Sequence, residues 1–459
     1  MPFSPRNRLA RAALANGLLL ESARAHIVML VISPRAVLAV LVGVSLTACA
    51  LVTSLSGLEA TPGVDASTGP SPAEAGGSAD APSTEDRLAP PAADAGPTDA
   101  STRPDGTAPA DAAPTDAAPT DGPLVCTADV YGDPSNCGAC GHDCQGGSCS
   151  AGACGPVTLA ATHGSIGIAI DSTFVYWADN EAGAIEKISK SLTHEGTPST
   201  VASGAATQNV QAVASDGTYL YWTNKTASGQ VRRALPTGAA LTTLASGQSQ
   251  PDWIASNGTM VAWTNQGSNQ VMAVSVTSDG GVAPTQLNAS GENGTVPAGI
   301  VIDAVNVYYA TKTTGGGLAE SVPLAGGAIS QLGSATYVGI AVDSQNVYWT
   351  GGANNPSVYE NAKTGTPTTE QAIAAGSLIC PLAVTSDGID VYFVDQGTSA
   401  CGPPGSDAGA LYRVPIGNGG TLPSPLVSGL NDPQGIAVDG TAIYWVTGGP
   451  VGAVMKLAK

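Results

Sequence analysis

The chain is poor in cations: 17 Lys and Arg stand against 36 Asp and Glu among 459 residues, a formal net charge of −19. Nucleic acid and anionic surfaces are therefore not expected partners, since both need clustered basic side chains. Histidine is scarcer still, with four in all. His26 lies in the N-terminal leader and His142 among clustered cysteines. Only His163 and His194 fall in the long C-terminal region, neither beside a recurring Asp or Ser. No nucleophile with a base, carboxylate pair or metal cluster stands out, so neither an enzyme nor a cofactor is expected. Segments with a sustained 3.6-residue apolar period are also lacking, which leaves little room for helices. The uncharged run 36–58 is interrupted by Gly, Ser and Thr, which argues against a membrane-spanning helix.

What the chain does have is a repeat. An apolar pair, an Asp, a spacer and an aromatic recur as IAID...VYW (Ile168 to Trp177), VASD...LYW (Val213 to Trp222) and IASN...VAW (Ile254 to Trp263). The phrase returns at Ile300 to Tyr309, Ile340 to Trp349, Val384 to Phe393 and Ile436 to Trp445. Asp171, Asp216, Asn257, Asp303, Asp343, Asp387 and Asp439 each precede their aromatic by six positions. The aromatics themselves step by 45, 41, 46, 40, 44 and 52 residues, so each unit has a fixed core and variable loops. Two β-rich runs joined by a tight polar turn read as a hairpin. A third run follows, such as 411–415, and a fourth, such as 241–244. Four strands in roughly 40 to 45 residues, seven times over, predict an all-β, seven-bladed β-propeller over 156–459. The last unit has three strands before Lys459, while Val157 to Ala161 reads as a fourth strand with no blade of its own. Pairing the two would close the ring and leave no long unpaired edge. The Asp/Asn column falls in the turns, where such side chains cap their own backbone; calcium is the competing reading.

The GIAVD...VYWT phrases resemble the YWTD repeats of low-density-lipoprotein-receptor-type propellers and, more loosely, NHL-type blades. Two departures stand out. The last Asp of YWTD is kept only at Asp179 and Asp395, with Asn224 and Asn265 in that place elsewhere, and the family usually has six blades. The resemblance implies a fold and not a ligand. Antibiotic-lyase-type and lactonase-type propellers are the enzyme alternatives within this architecture. The first needs a central His with Glu support and the second a Glu/Asn/Asp metal set, and neither can be placed residue by residue here.

The N-terminal region reads as export machinery. The run 37–44 ends in Leu46-Thr47-Ala48-Cys49, similar to a bacterial lipoprotein signal, in which residues 1–48 are removed and Cys49 is lipidated; Met29 is an alternative start. Ala50 and Leu51 follow without an Asp at the second position, which implies an outer-membrane lipoprotein or cell-surface protein, its propeller outside the cytoplasm. Cleavage removes five Arg and one Glu, leaving 12 basic and 35 acidic residues, net charge near −23; an acidic exterior equally serves solubility. Residues 49–123 are rich in Ala, Pro, Thr and Asp with few large apolar side chains, which predicts a disordered, extended tether.

Eight cysteines remain after Cys49. Six of them, Cys126, Cys137, Cys140, Cys144, Cys149 and Cys154, crowd into a module spanning 124–155, a density that predicts three disulfides of open connectivity. Zinc is the alternative, from Cys137-x-x-Cys140 with His142 nearby. The Asn136–Cys144 core resembles small modules of the stigma-specific type. Cys380 and Cys401 would meet at one end of blade six, a feasible bridge.

One column is broken. The residue before the first apolar of each inner strand is Gly167, Ala212, Trp253, Gly299, Gly339, Ala383 or Gly435: six small residues and one Trp. Trp253 is either a plug for the central channel or a stacking residue for a sugar or other ligand. With it, Gln208, Asn209, Gln250, Asp252, Asn431, Asp432 and Gln434 are the binding candidates on the face where inner strands begin. The expected function is a lipid-anchored, monomeric binding or scaffold protein for a cell-surface protein or polysaccharide; the alternative is a secreted propeller hydrolase or lyase.

Overall fold

The computed structural model describes residues 128–288, 295–313, 316–352, 355–397, 408–449 and 451–459. The expected signal peptide, Cys49, the tether, Cys126 and Cys401 lie outside them. Among the described residues, helix is limited to two single turns, Gly204–Ala206 and Pro367–Thr369, and no helix is long and apolar enough to cross a membrane.

Seven four-stranded antiparallel blades follow one another. Blade 2 is typical, with an inner strand Val210–Ser215, then Leu220–Asn224, Gly229–Ala234 and an outer strand Thr242–Gln248. The inner strands of the others are Ile168–Ile170 in blade 1, Pro251–Ser256 in blade 3, Val296–Ile302 in blade 4, Pro381–Ser386 in blade 6 and Pro433–Val438 in blade 7. Blades 4 and 5 are joined differently from the expectation of separate units: one 13-residue strand, Ser330–Val342, is the outer strand of blade 4 in its first half and the inner strand of blade 5 in its second. Each inner strand packs on the next around the circle, blade 7 returning to blade 1. Blade 7 takes its outer strand from the N-terminal side: Val157–Thr162 pairs with Gly452–Ala458, Thr162 opposite Gly452 and Val157 opposite Lys456. The ring is therefore closed as the stray strand predicts.

Seven hydrophobic clusters fill the seven seams, and each holds one repeat aromatic: Trp177, Trp222, Trp263, Tyr309, Trp349, Phe393 and Trp445, all essentially buried. Truncating such a side chain typically costs about 3–5 kcal/mol, which is why the aromatic persists while the loops vary. The glycines just before the first apolar residue of the repeat phrase have a steric reason. A Cβ on Gly299 would stand 1.8 Å from the Val338 carbonyl oxygen, one on Gly435 2.6 Å from that of Ile166, and one on Gly339 2.5 Å from that of Leu382. Neighbouring inner strands touch backbone to backbone there.

The Asp column caps the turns at the other end. Asp216 Oδ1 accepts the Thr218 and Tyr219 amides at 2.8 and 2.7 Å, and its Oδ2 accepts the Tyr221 hydroxyl at 2.6 Å. Asp171, Asp303, Asp343, Asp387 and Asp439 repeat the same three bonds, each with the Tyr five residues on. Asn257 is the one amide, and five residues after it stands Ala262 rather than Tyr. With no hydroxyl to accept, Asn257 spends its Nδ2 on the Asp303 carbonyl oxygen of the next blade at 2.7 Å. Lysines just past the third strands tie blades together: Lys363 reaches Asp303 at 2.8 Å, Lys190 reaches Asp439, and Lys459 reaches Asp387. Burial alone would raise Asp303 and Asp439, but the lysine and the turn amides outweigh it and hold both down to about 2.

The Cys-rich module sits on this turn face. Cys137–Cys149 and Cys144–Cys154 are disulfides, and Cys140 and Cys380 are also disulfide-bonded. With those sulfurs paired and both His142 ring nitrogens against carbonyl oxygens, of Cys137 and Lys459 at 2.5 Å each, the zinc alternative does not describe this module.

Candidate binding face at the channel mouth

The inner strands enclose a channel of ≈ 350 Å³ lined by all seven blades. Its walls are the apolar inner-strand positions, among them Ile166, Ile254, Val338 and Leu382, with Ser256, Thr385 and Ser386; no charged residue lines it among the described residues. Trp253 is the largest side chain on that wall. It is half-buried, packed against the seam clusters on both sides of blade 3, and its amide donates to Thr264 Oγ1 at 3.2 Å. The other five tryptophans are fully buried in the seams.

The last position of the YWTD-like phrase braces the loops that lead into the channel. Where an acceptor is needed it is Asp: Asp179 takes the His163 and Ala182 amides at 3.0 and 2.8 Å, and Asp395 takes those of Ile379 and Cys380 at 2.8 and 2.7 Å. Where a donor is needed it is Asn: Asn224 Nδ2 donates to the Ala206 carbonyl at 3.1 Å and Asn265 Nδ2 to Gln248 Oε1 at 2.9 Å. The departures from the repeat phrase thus match the partner each loop presents. His163, expected to stand apart from the repeating acids, has its Nδ1 3.7 Å from Asp179 Oδ2.

The binding candidates fall into two groups separated by blade 1. On blades 2 and 3 are Gln208, Asn209, Gln250, Asp252 and Trp253; on blade 7 are Asn431, Asp432 and Gln434. Within them, roles differ sharply. Asp252 is 2% exposed and pairs with Lys225 at 3.1 Å. Burial raises its pKa, opposed by Lys225 and, less closely, Lys312. Burial likewise lowers Lys312, opposed by Asp252. Asp432 is buried without a cation and is raised by that burial, with the Gln434 and Gln396 amides, 2.7 and 2.8 Å from its Oδ1, pulling the other way. These two carboxylates are committed to the scaffold. Gln208, Asn209, Gln250 and Asn431 are exposed and make no side-chain hydrogen bond among the described residues.

Asn209, Gln250 and Asp432 share a further property: all lie in the left-handed region, at φ 49°, 52° and 46°. Each stands 13 residues before its repeat Trp, the offset at which blade 1 has Gly164 at φ 67°. Glycine adopts this conformation without steric cost and Asn and Asp tolerate it, so Gln250 is the side chain kept where it is least favoured.

Sequence reasoning passed over Lys225, Lys312 and Gln396. All three lie three residues beyond a repeat aromatic, the column also occupied by Asn180 and Gln266. Aligning that position would have exposed it as the one that reaches across to the next blade: Asn180 Nδ2 bonds the Val210 carbonyl at 2.7 Å.

Strand pairing and channel together define a seven-bladed propeller with a rim of uncommitted amides. No protein-family model matches the chain, and no curated protein matches it. Among solved structures it is similar to a chain in a crystal structure of a nidogen/laminin complex, at 20% identity over 50% of this chain and 86% of that one, with a TM-score of 0.39. The propeller assignment rests on the strand pairing and not on this likeness.

Proposed function

We propose that the protein is a surface-displayed, lipid-anchored binding or scaffold protein that recognises a protein or glycan through the face at the channel mouth. The observation that carries the reading is the pair Asn209 and Gln250, exposed amides that make no side-chain hydrogen bond among the described residues, held at left-handed backbone positions on the two blades that lead to the half-buried Trp253. Strained backbone kept with a functional side chain is a feature of ligand sites, and amides with an aromatic wall suit neutral, hydrogen-bonding partners. The lipid anchor is supported by the Leu46-Thr47-Ala48-Cys49 sequence, and an acidic net charge fits a partner that is not nucleic acid.

The test is affinity capture from envelope extracts with the full chain, alongside Asn209→Ala/Gln250→Ala and Trp253→Ala variants checked for native circular dichroism. A partner or glycan retained by the parent and lost by both variants is expected. Equal capture by all three removes this face from consideration, and stoichiometric bound metal with hydrolysis or lyase turnover would favour the enzyme alternative. Cys49 is tested separately by fatty-acid labelling of the parent against Cys49→Ala.

A further inference from the structure

Blade 7 is the one blade assembled from distant parts of the chain, so the seam between it and blade 1 is where the ring can open. The Cys-rich module stands on that seam. Gln145 Nε2 donates to the Thr441 carbonyl of blade 7 at 3.1 Å, and the His142 ring bridges the Cys137 and Lys459 carbonyl oxygens. Gly146 lies so close to the blade 1 loop that a Cβ there would be 2.3 Å from the Thr193 carbonyl oxygen. On the other flank of blade 7, Cys154 packs against the cluster containing Leu457 and Trp445, which fills the seam with blade 6.

The disulfides join these grips to the strand that closes the ring. Cys144–Cys154 spans ten residues and ties the segment bearing His142 and Gln145 to a point three residues before Val157–Thr162; Cys137–Cys149 crosses the same body. The described part of the module, 128–155, has no apolar core of its own: its only fully buried apolar side chains are Cys137 and Cys144. A body of that size without a core keeps its shape through its crosslinks.

We propose that the Cys-rich module is a redox latch on the propeller: its disulfides hold the closing strand Val157–Thr162 on blade 7, and cleaving them frees that seam ahead of the other six. Each disulfide is reduced by two electrons and two protons from a dithiol such as dithiothreitol, which leaves as its cyclic disulfide, giving two cysteine thiols. Such a latch couples ring closure to an oxidising compartment. It stands whether or not the mouth face binds anything.

Hydrogen–deuterium exchange on the folded, oxidised full chain tests it, before and after dithiothreitol, with alkylation and mass measurement confirming reduction. Exchange in Val157–Thr162 and Gly452–Ala458 should accelerate at least about tenfold while Pro251–Ser256 of blade 3 is unchanged. Acceleration confined to 128–155, or equal in all blades, overturns the latch. Because the disulfide at Cys380 is reduced too, its own effect reads out separately at Pro381–Ser386. The oxidised Gln145→Ala/His142→Ala variant, which keeps the crosslinks but cuts two grips, should raise exchange in the same two strands by a smaller factor; no change there also counts against the latch.

Discussion

The two ends of the inner strands are built on opposite rules. At the turn end, six blades repeat an Asp with two turn amides and a Tyr hydroxyl, and the seventh substitutes Asn where its Tyr is missing. At the mouth end, aligned positions differ from blade to blade: Gly164, Asn209, Gln250 and Asp432 share a left-handed backbone yet are four different residues. The lesson is that the most conspicuous column in the sequence is structural because it repeats. A ring of identical turns can fix a fold, but recognition of one ligand needs positions that break the symmetry.

The largest expected effect tests the ring itself. Gly299→Ala puts a Cβ where the Val338 carbonyl oxygen stands, and the clash is with backbone, which has no rotamer to yield. It should lower unfolding free energy by about 3 kcal/mol, read from urea denaturation. Gln208→Ala at the exposed rim should stay within about 0.5 kcal/mol of the parent. Equal effects would erase the distinction between the two ends.

At the turn end, Asp216→Ala strips an acceptor from two amides and a hydroxyl and should cost about 2 kcal/mol, Asp216→Asn roughly half as much. Asn257→Asp should bring no gain, because Ala262 offers no hydroxyl and the bond to the Asp303 carbonyl is lost. A stabilised Asn257→Asp variant would mean that the column has a shared ligand rather than a shared turn. pH sharpens the same point. Asp303 and Asp439 lie at about 2 in the folded chain against an ordinary 3.8. Their stabilisation is therefore full above the ordinary value and disappears as pH falls through about 2. Thermal melts from pH 5 to 2 should show that loss, and Lys363→Met should reduce its size by weakening the hold on Asp303.

Much of this turn end was legible in sequence, because one offset kept seven times leaves few alternatives, and the stray strand before Ile168 had only blade 7 to complete. The Asn257 exception was legible as well: Asn and Ala262 change together within one phrase. The mouth was legible in outline only. Trp253 broke a column of small residues, but Gln250 gave no sign of left-handed backbone, and Asn209 and Asp432 gave only the weak one that Asn and Asp tolerate it. The reach of Lys225 to Asp252 and of Gln396 to Asp432 crosses between blades, and variable loop lengths conceal such contacts. The continuous strand Ser330–Val342 escaped for a similar reason: the repeat was counted as separate four-stranded units, and extended backbone runs from blade 4 into blade 5.

The smallest effect is the most discriminating, because it predicts opposite signs at one aligned position. Gln250→Gly removes a side chain that makes no hydrogen bond among the described residues from a left-handed position. Relief of strain should offset the added freedom of the unfolded chain, so stability should be unchanged or rise by up to about 1 kcal/mol. Asp432→Gly relieves similar strain but leaves the Gln396 and Gln434 amides without their acceptor, Gln396 being 5% exposed, so stability should fall by about 1–2 kcal/mol. Urea denaturation of the two variants side by side decides it. If Gln250→Gly is destabilised like Asp432→Gly, the Gln250 side chain belongs to the scaffold, and the mouth differs from the turn end only in how its structural bonds are arranged.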